Sequence, residues 1–191
     1  SILIAIWLSS FLIVGFLPAS SPMGSPEWGD ALSKENEDAP FWPSSEQYIW
    51  VVDSSVIAIT HQNIPAHVCP YGTGEYISWV IETFELDEHR VKQVVERLPS
   101  TSPDLFHLET VPSEGNHRYK SVDGTIDQEL IVSRRNIVSD FPIEGIVVAE
   151  MITTYRPTWG GEMQMLTITQ LYGTEDPWAE EIVLEWLSVQ K

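Results

Sequence analysis

The densest group of reactive side chains is the run His61-Gln62-Asn63-Ile64-Pro65-Ala66-His67-Val68-Cys69-Pro70-Tyr71. Two imidazoles and a thiol fall within nine residues. Imidazole nitrogen and thiolate sulfur are ligands that copper and zinc favour. His61, His67 and Cys69 are therefore the candidate metal set, and Glu75 or His117 are the candidates for a fourth ligand brought in by the fold. The spacing matches no zinc signature, and a second cysteine and a Cys-x-x-Cys-His haem attachment are both missing. The plainer reading is a loop with two histidines and a small buried thiol, a common setting for free cysteine. Cys69 is also a possible nucleophile with His67 or His61 as base. On a strand His67 and Cys69 share a face. No oxyanion-donor pattern or Gly-x-Ser-x-Gly turn accompanies them. The expectation is a protein with no catalytic residue and no cofactor, copper or zinc on His61, His67 and Cys69 being the alternative.

The carboxylates are less informative. Asp87-Glu88, Glu175-Asp176 and Glu180-Glu181 read as solvated faces and helix starts, where negative charge suits the helix dipole. Asp123, Asp127 and Glu129 are spaced as calcium ligands might be, yet the twelve-residue loop pattern is missing and Asp123-Gly124 already reads as a turn. Gly160-Gly161 is a turn, since neither a following helix nor a P-loop lysine is present.

These groups sit in a 191-residue chain with 28 acidic and 10 basic side chains, a formal net charge of −18. Phosphate contacts need Lys and Arg, so nucleic acid is not an expected partner. A basic-patch association with anionic lipid is excluded on the same ground. With 43% hydrophobic residues the chain is not disordered by composition. One cysteine gives no disulfide framework within the chain. The charge is unevenly spread: residues 1–26 carry none, the first acid is Glu27 and the first base Lys34.

The neutral stretch contains ILIAIWLSSFLIVGFL, Ile2 to Leu17, interrupted only by Ser9, Ser10 and Gly15. As a helix it is roughly 24 Å long, somewhat short of the bilayer core until its flanks are added. A cleaved signal peptide, a buried helix and a retained single-pass anchor all compete for it. Pro22 directly after Ala19-Ser20-Ser21 disfavours cleavage there, and a helix apolar nearly all round is unusual at a soluble chain terminus. Residues 1–19 are therefore read as a transmembrane anchor in contact with lipid. The sole Lys in the next 60 residues is Lys34, which places the rest of the chain in a periplasm or equivalent lumen by the positive-inside rule.

Residues 20–46 read as a Pro- and Ser-rich acidic arm of extended chain. Trp28, Phe41 and Trp42 are larger than a tether needs, which points to packing, with partner subunits favoured over the chain's own domain. Residues 47–191 read as one α+β domain with a mainly antiparallel sheet and two or three helices. Tyr48–Val52 and Val56–Thr60 form a hairpin, as do Arg118–Val122 and Thr125–Val132 around Asp123-Gly124. Gly145–Tyr155 and Glu162–Leu171 form a third hairpin, and the last of these strands shows no clearly wet face. Residues 75–86 fit helix or strand. An Asp87-capped helix runs to Leu98 with Val91, Val94, Val95 and Leu98 on one stripe. Residues 99–116 read as loop. Pro177 opens a C-terminal amphipathic helix with Trp178, Ala179, Ile182, Val183, Trp186 and Leu187 on one face.

The functional expectation is a non-catalytic, single-pass accessory subunit that stabilises or connects subunits of a larger membrane complex on its extracytoplasmic face. Respiratory and photosynthetic assemblies, and so electron transport, are the expected hosts, by association with other small single-span subunits. Its partners are other integral membrane subunits, met through Trp7, Trp28, Phe41, Trp42, Trp178 and Trp186. A membrane-tethered copper or zinc protein is the alternative.

Overall fold

The computed structural model describes residues 2–6, 9, 17–37, 44–53, 55–63, 92, 94–97, 105–111, 115–157, 162–173 and 177–189. These form eight strands: β1 (Ser33–Glu37), β2 (Ser45–Val52), β3 (Ser55–Asn63), β4 (Leu105–Thr110), β5 (Gly115–Lys120), β6 (Asp127–Phe141), β7 (Ile146–Pro157) and β8 (Glu162–Leu171). All pairings are antiparallel, in the order β1-β2-β3-β8-β7-β6-β4, with β5 also on β6. One long helix, α1 (Pro177–Val189), follows the sheet. The sequence expectation of a mainly antiparallel sheet with few helices and a C-terminal helix holds.

Both sides of the sheet are covered. On one, Ala179, Ile182, Val183, Trp186 and Leu187 of α1 pack on Ile57, Ile59, Leu166, Ile168 and Ile152. Their spacing of three and four residues makes the single stripe that a helix needs to lie on a sheet. On the other side, Val94 and Val95 join Ile49, Val56, Ala58, Ile137 and Met151. Backbone at Lys92, Val94 and Val95 is helical, within the expected Asp87–Leu98 helix, while Val91, Leu98 and residues 75–86 lie outside the described residues. Double coverage explains why β8 has no wet face: none of its positions is fully exposed, and the partly exposed ones, Glu162, Gln164, Thr167 and Leu171, fall on both faces.

The three expected hairpins are present, with differences at their ends. Asp53 takes a left-handed φ of 53° in the β2–β3 turn, which an Asp side chain tolerates. The β5–β6 connection is six residues rather than two. Gly124 adopts φ 72°, and Ser121 N–H donates to the Ile126 carbonyl at 3.0 Å. The Asp123 carboxylate closes this turn by accepting from Ser121 Oγ (2.6 Å), Thr125 N (3.1 Å) and Thr125 Oγ1 (2.8 Å). Led by the Ser121 hydroxyl bond, these contacts hold its pKa at about 2, below its usual 3.8. The turn's stabilisation is complete above the ordinary carboxylate pKa and is lost as pH falls through about 2. We expect Asp123→Ala to lower the melting temperature modestly at neutral pH. The gap to the parent should narrow as pH is taken from 4 towards 2, and a constant gap would contradict the assignment.

One strand lies where a loop was expected, and another runs longer than expected. Residues 105–110 form β4, whose Phe106 and Leu108 turn towards the Val94–Val95 side. β6 runs on to Phe141, well past the expected end at Val132, because β5 and β4 lie end to end along the same edge of it. The prolines on either side of residues 105–110 hid an alternation of apolar and polar residues that is short but regular.

The arm also differs from the expectation. Residues 33–37 pair with β2 as an edge strand, since backbone bonds to a neighbour ask little of side-chain type and charge suits a sheet edge. Ahead of it, Ser25 caps a 3-10 turn, Pro26–Trp28, and Trp28 meets Trp50 edge-on at 5.7 Å between centroids. Trp28 Nε1 donates to Glu185 of α1 at 2.5 Å, and Trp50 Nε1 donates to the Gly29 carbonyl at 3.2 Å. Residues 17–32 thus seat on the chain's own domain, beside α1, where partner subunits were favoured. Burying two indoles against an existing apolar surface is sufficient cause.

Residues 2–6 have helical backbone, and the rest of the expected anchor up to residue 16, apart from Ser9, lies outside the described residues. Among the described residues no helix is long and apolar enough to cross a membrane. The transmembrane helix of the sequence reading is therefore without structural support.

Candidate functional site

β3 alternates, so His61 points to the same side as Ile57 and Ile59, beneath which the sheet meets α1. The register sets Glu46 of β2 opposite His61 on one flank and Gln164 of β8 on the other. Arg156 of β7 stands opposite Gln164, one strand further out. This polar row lies where β3 ends and β8 begins.

The segment that leads away from the apolar N-terminal stretch crosses this end of the sheet. The Leu17 carbonyl accepts from Asn63 Nδ2 at 2.8 Å and from Ser44 Oγ. Ser20 donates its backbone N–H to Glu162 Oε2 (2.8 Å) and its hydroxyl to Glu162 Oε1 (2.8 Å). His61 Nδ1 lies 2.8 Å from Ser20 Oγ and 3.1 Å from the Ser20 carbonyl. A carbonyl only accepts, and the one Ser20 hydroxyl proton is given to Glu162, so Nδ1 carries the ring proton and Nε2 is bare. His61 is 2% exposed. Burial pushes its pKa below 6.5, against the opposing pull of Glu162, the Ser20 carbonyl and Glu46.

Serine, histidine and glutamate in contact suggest a hydrolytic triad, but the bonding is wrong for one. In a working triad the serine and the acid address opposite ring nitrogens, and the serine proton passes to the imidazole. Here Ser20 and Glu162 both sit at Nδ1, and Ser20 gives its proton to the acid. The arrangement is a clasp that holds residues 17–20 to the sheet.

Of the candidate metal set only His61 is described; His67, Cys69 and Glu75 lie outside the described residues. His117 stands on β5, four strands from β3 in the sheet order, and meets Tyr119 edge-on at 4.6 Å. The fold does not bring it into a ligand group with His61 among the described residues. Asp127 is bound bidentately by Arg118 (2.5 and 2.8 Å) and Asp123 is used by its turn. Among the described residues no three His, Cys, Asp or Glu side chains are grouped to hold a metal ion.

Trp28 and Trp186 of the expected partner-binding set are buried in the chain's own core, at 7% and 0% exposure. Trp7, Phe41, Trp42 and the side chain of Trp178 lie outside what is described. Ser20, Glu46, Glu162 and Gln164 were missed by the sequence reading. One signal was available: Glu162 and Gln164 fall in phase with Leu166 and Ile168, on the face that should be apolar.

No family model, no curated protein and no solved structure matches the chain.

Proposed function

We propose that this chain is a non-catalytic, single-pass membrane-anchored subunit that holds an acidic domain at a fixed orientation on the extracytoplasmic face of a larger membrane complex. The observation that carries the reading is the clasp at Leu17 and Ser20. Leu17, which ends the apolar stretch Ile2–Leu17, is bonded to Ser44 and Asn63, and Ser20, just after it, to His61 and Glu162. A mobile tether gains nothing from such bonds, whereas a spacer that must keep its domain in register with neighbouring subunits does. The scarcity of Lys and Arg after the apolar stretch favours the extracytoplasmic side.

A second feature agrees with this reading. Leu105, Phe141, Ile143, Ile146 and Tyr172 are large apolar residues, each 47–62% exposed. They gather where β4 and β7 begin and where β6 and β8 end, the opposite end of the sheet from the clasp. An apolar end pointing away from the anchor suits contact with a partner subunit.

The test is extraction and native electrophoresis of the full chain from its own membranes. We expect it to resist carbonate extraction and to migrate in a complex much larger than one chain. Phe141→Ser with Ile143→Asp, both exposed, should release it as a monomer without lowering its melting temperature. Extraction by carbonate defeats the anchor, and migration of the parent as a lone monomer defeats the subunit role.

A further inference from the structure

The row Glu46–His61–Gln164 contains three lone pairs that no proton reaches. His61 Nε2, Glu46 Oε2 and Gln164 Oε1 are each buried and have no hydrogen-bond partner. Nε2 is bare because the ring proton sits on Nδ1, facing Ser20. Neighbouring side chains on one sheet face stand about 5 Å apart at Cβ, so the Glu46 and Gln164 groups flank the imidazole within side-chain reach.

Buried acceptors without donors are costly, so the row needs something that supplies positive charge or protons. A single water brings two protons to three acceptor atoms and leaves one of them unmet. A divalent cation satisfies all three at once. The charge also fits, because Glu46 and Glu162 both act on His61 in the sense that favours a positive group beside it. The imidazole nitrogen and the Glu46 carboxylate are zinc-type ligands, and the Gln164 amide oxygen adds a neutral third donor; the nitrogen makes the set softer than calcium and magnesium prefer.

We propose that His61 Nε2, Glu46 and Gln164 form the protein side of a binding site for one divalent transition-metal ion, with water completing its coordination. The site lies under residues 17–20, since the other nitrogen of the same ring holds Ser20. A bound ion would thereby orient the imidazole that secures the clasp, much as a hydrogen bond at one ring nitrogen sets the role of the other. The ligands come from β2, β3 and β8, so ordinary sheet pairing fixes their spacing.

The experiment is calorimetric titration of the metal-free full chain in detergent with Zn2+ alone, followed by nitrogen-15 NMR of the histidine rings. One equivalent should bind, and the His61 Nε2 resonance should move from that of a bare ring nitrogen to that of a metal-bound one. Glu46→Gln, which keeps shape and removes charge, should weaken binding by at least about tenfold. The double variant His67→Ala, Cys69→Ala should bind as the parent does. Absence of saturable uptake overturns the proposal, as does an affinity unchanged by Glu46→Gln. Loss of uptake in the double variant places the ion on His67 or Cys69 and overturns it as well.

Discussion

Replacing Trp186 by alanine is expected to cost about 3–5 kcal/mol of folding stability, a large share of what a domain of this size holds in reserve. Trp186 is fully buried and touches the heart of the α1-facing cluster. Its removal leaves a cavity that neither the sheet nor a helix pinned by four other apolar residues can close. Trp186→Phe should cost far less, within about 1.5 kcal/mol, because much of the volume remains. The indole N–H has no acceptor, so the phenyl ring forfeits no hydrogen bond. Denaturant unfolding of both variants checks the pair. Equal losses for alanine and phenylalanine would mean that the indole nitrogen, and not packing volume, matters at this position.

Gly24→Val should lift residues 17–28 off the sheet while leaving the sheet folded. A Cβ at residue 24 would lie 2.7 Å from Trp50 Cζ2 and 3.0 Å from Trp28 Cε3. Both contacts are rigid rings, and both are buried, so neither can swing aside. Overpacking of this kind costs about 1–3 kcal/mol, more than the local contacts of a surface strap can absorb without moving. The expected readout is rapid proteolysis between residues 17 and 33 with α1 and the sheet still protected. Changed Trp28 fluorescence should accompany it, since its bond to Glu185 would break. Resistance to protease equal to that of the parent would show that the indoles yield.

What the sequence made legible follows from where its signals are local. The hairpins of β2–β3, β5–β6 and β7–β8 each carry their own alternation and turn residues, and α1 carries its own stripe and its starting proline. β4 was hidden because six residues between prolines are too few to outweigh them. β1 was hidden because Ser-Lys-Glu-Asn-Glu has no strand preference of its own and is a strand only by pairing with β2. The polar row was hidden for a deeper reason. Ser20, Glu46, His61 and Glu162 are spread over most of the sequence, and only the β2–β3 and β3–β8 pairings, with Ser20 laid across them, unite them. The sequence drew attention to His61 through His67 and Cys69, its neighbours along the chain, whereas the structure surrounds it with its neighbours across the sheet. Trp28 shows the converse: a large apolar group in a proline-rich arm suggested a partner, and the domain itself supplies a surface on which Trp28 is buried.

The β3–β8 pairing has a bearing on the order of events at the ribosome. β3 is central and buried on both faces, yet its partner β8 begins only at Glu162, far along the sequence from Asn63. Local hairpins form in microseconds, whereas such a distant pairing must wait until everything between β3 and β8 has been made. Until β8 emerges, the β2–β3 hairpin presents a bare apolar edge, the kind of surface on which nascent chains stick to one another. The Ser20 clasp also depends on Glu162. Ser20 must therefore leave the ribosome long before its mooring at Glu162 exists, and the arrival of β8 decides when the segment around Ser20 comes to rest.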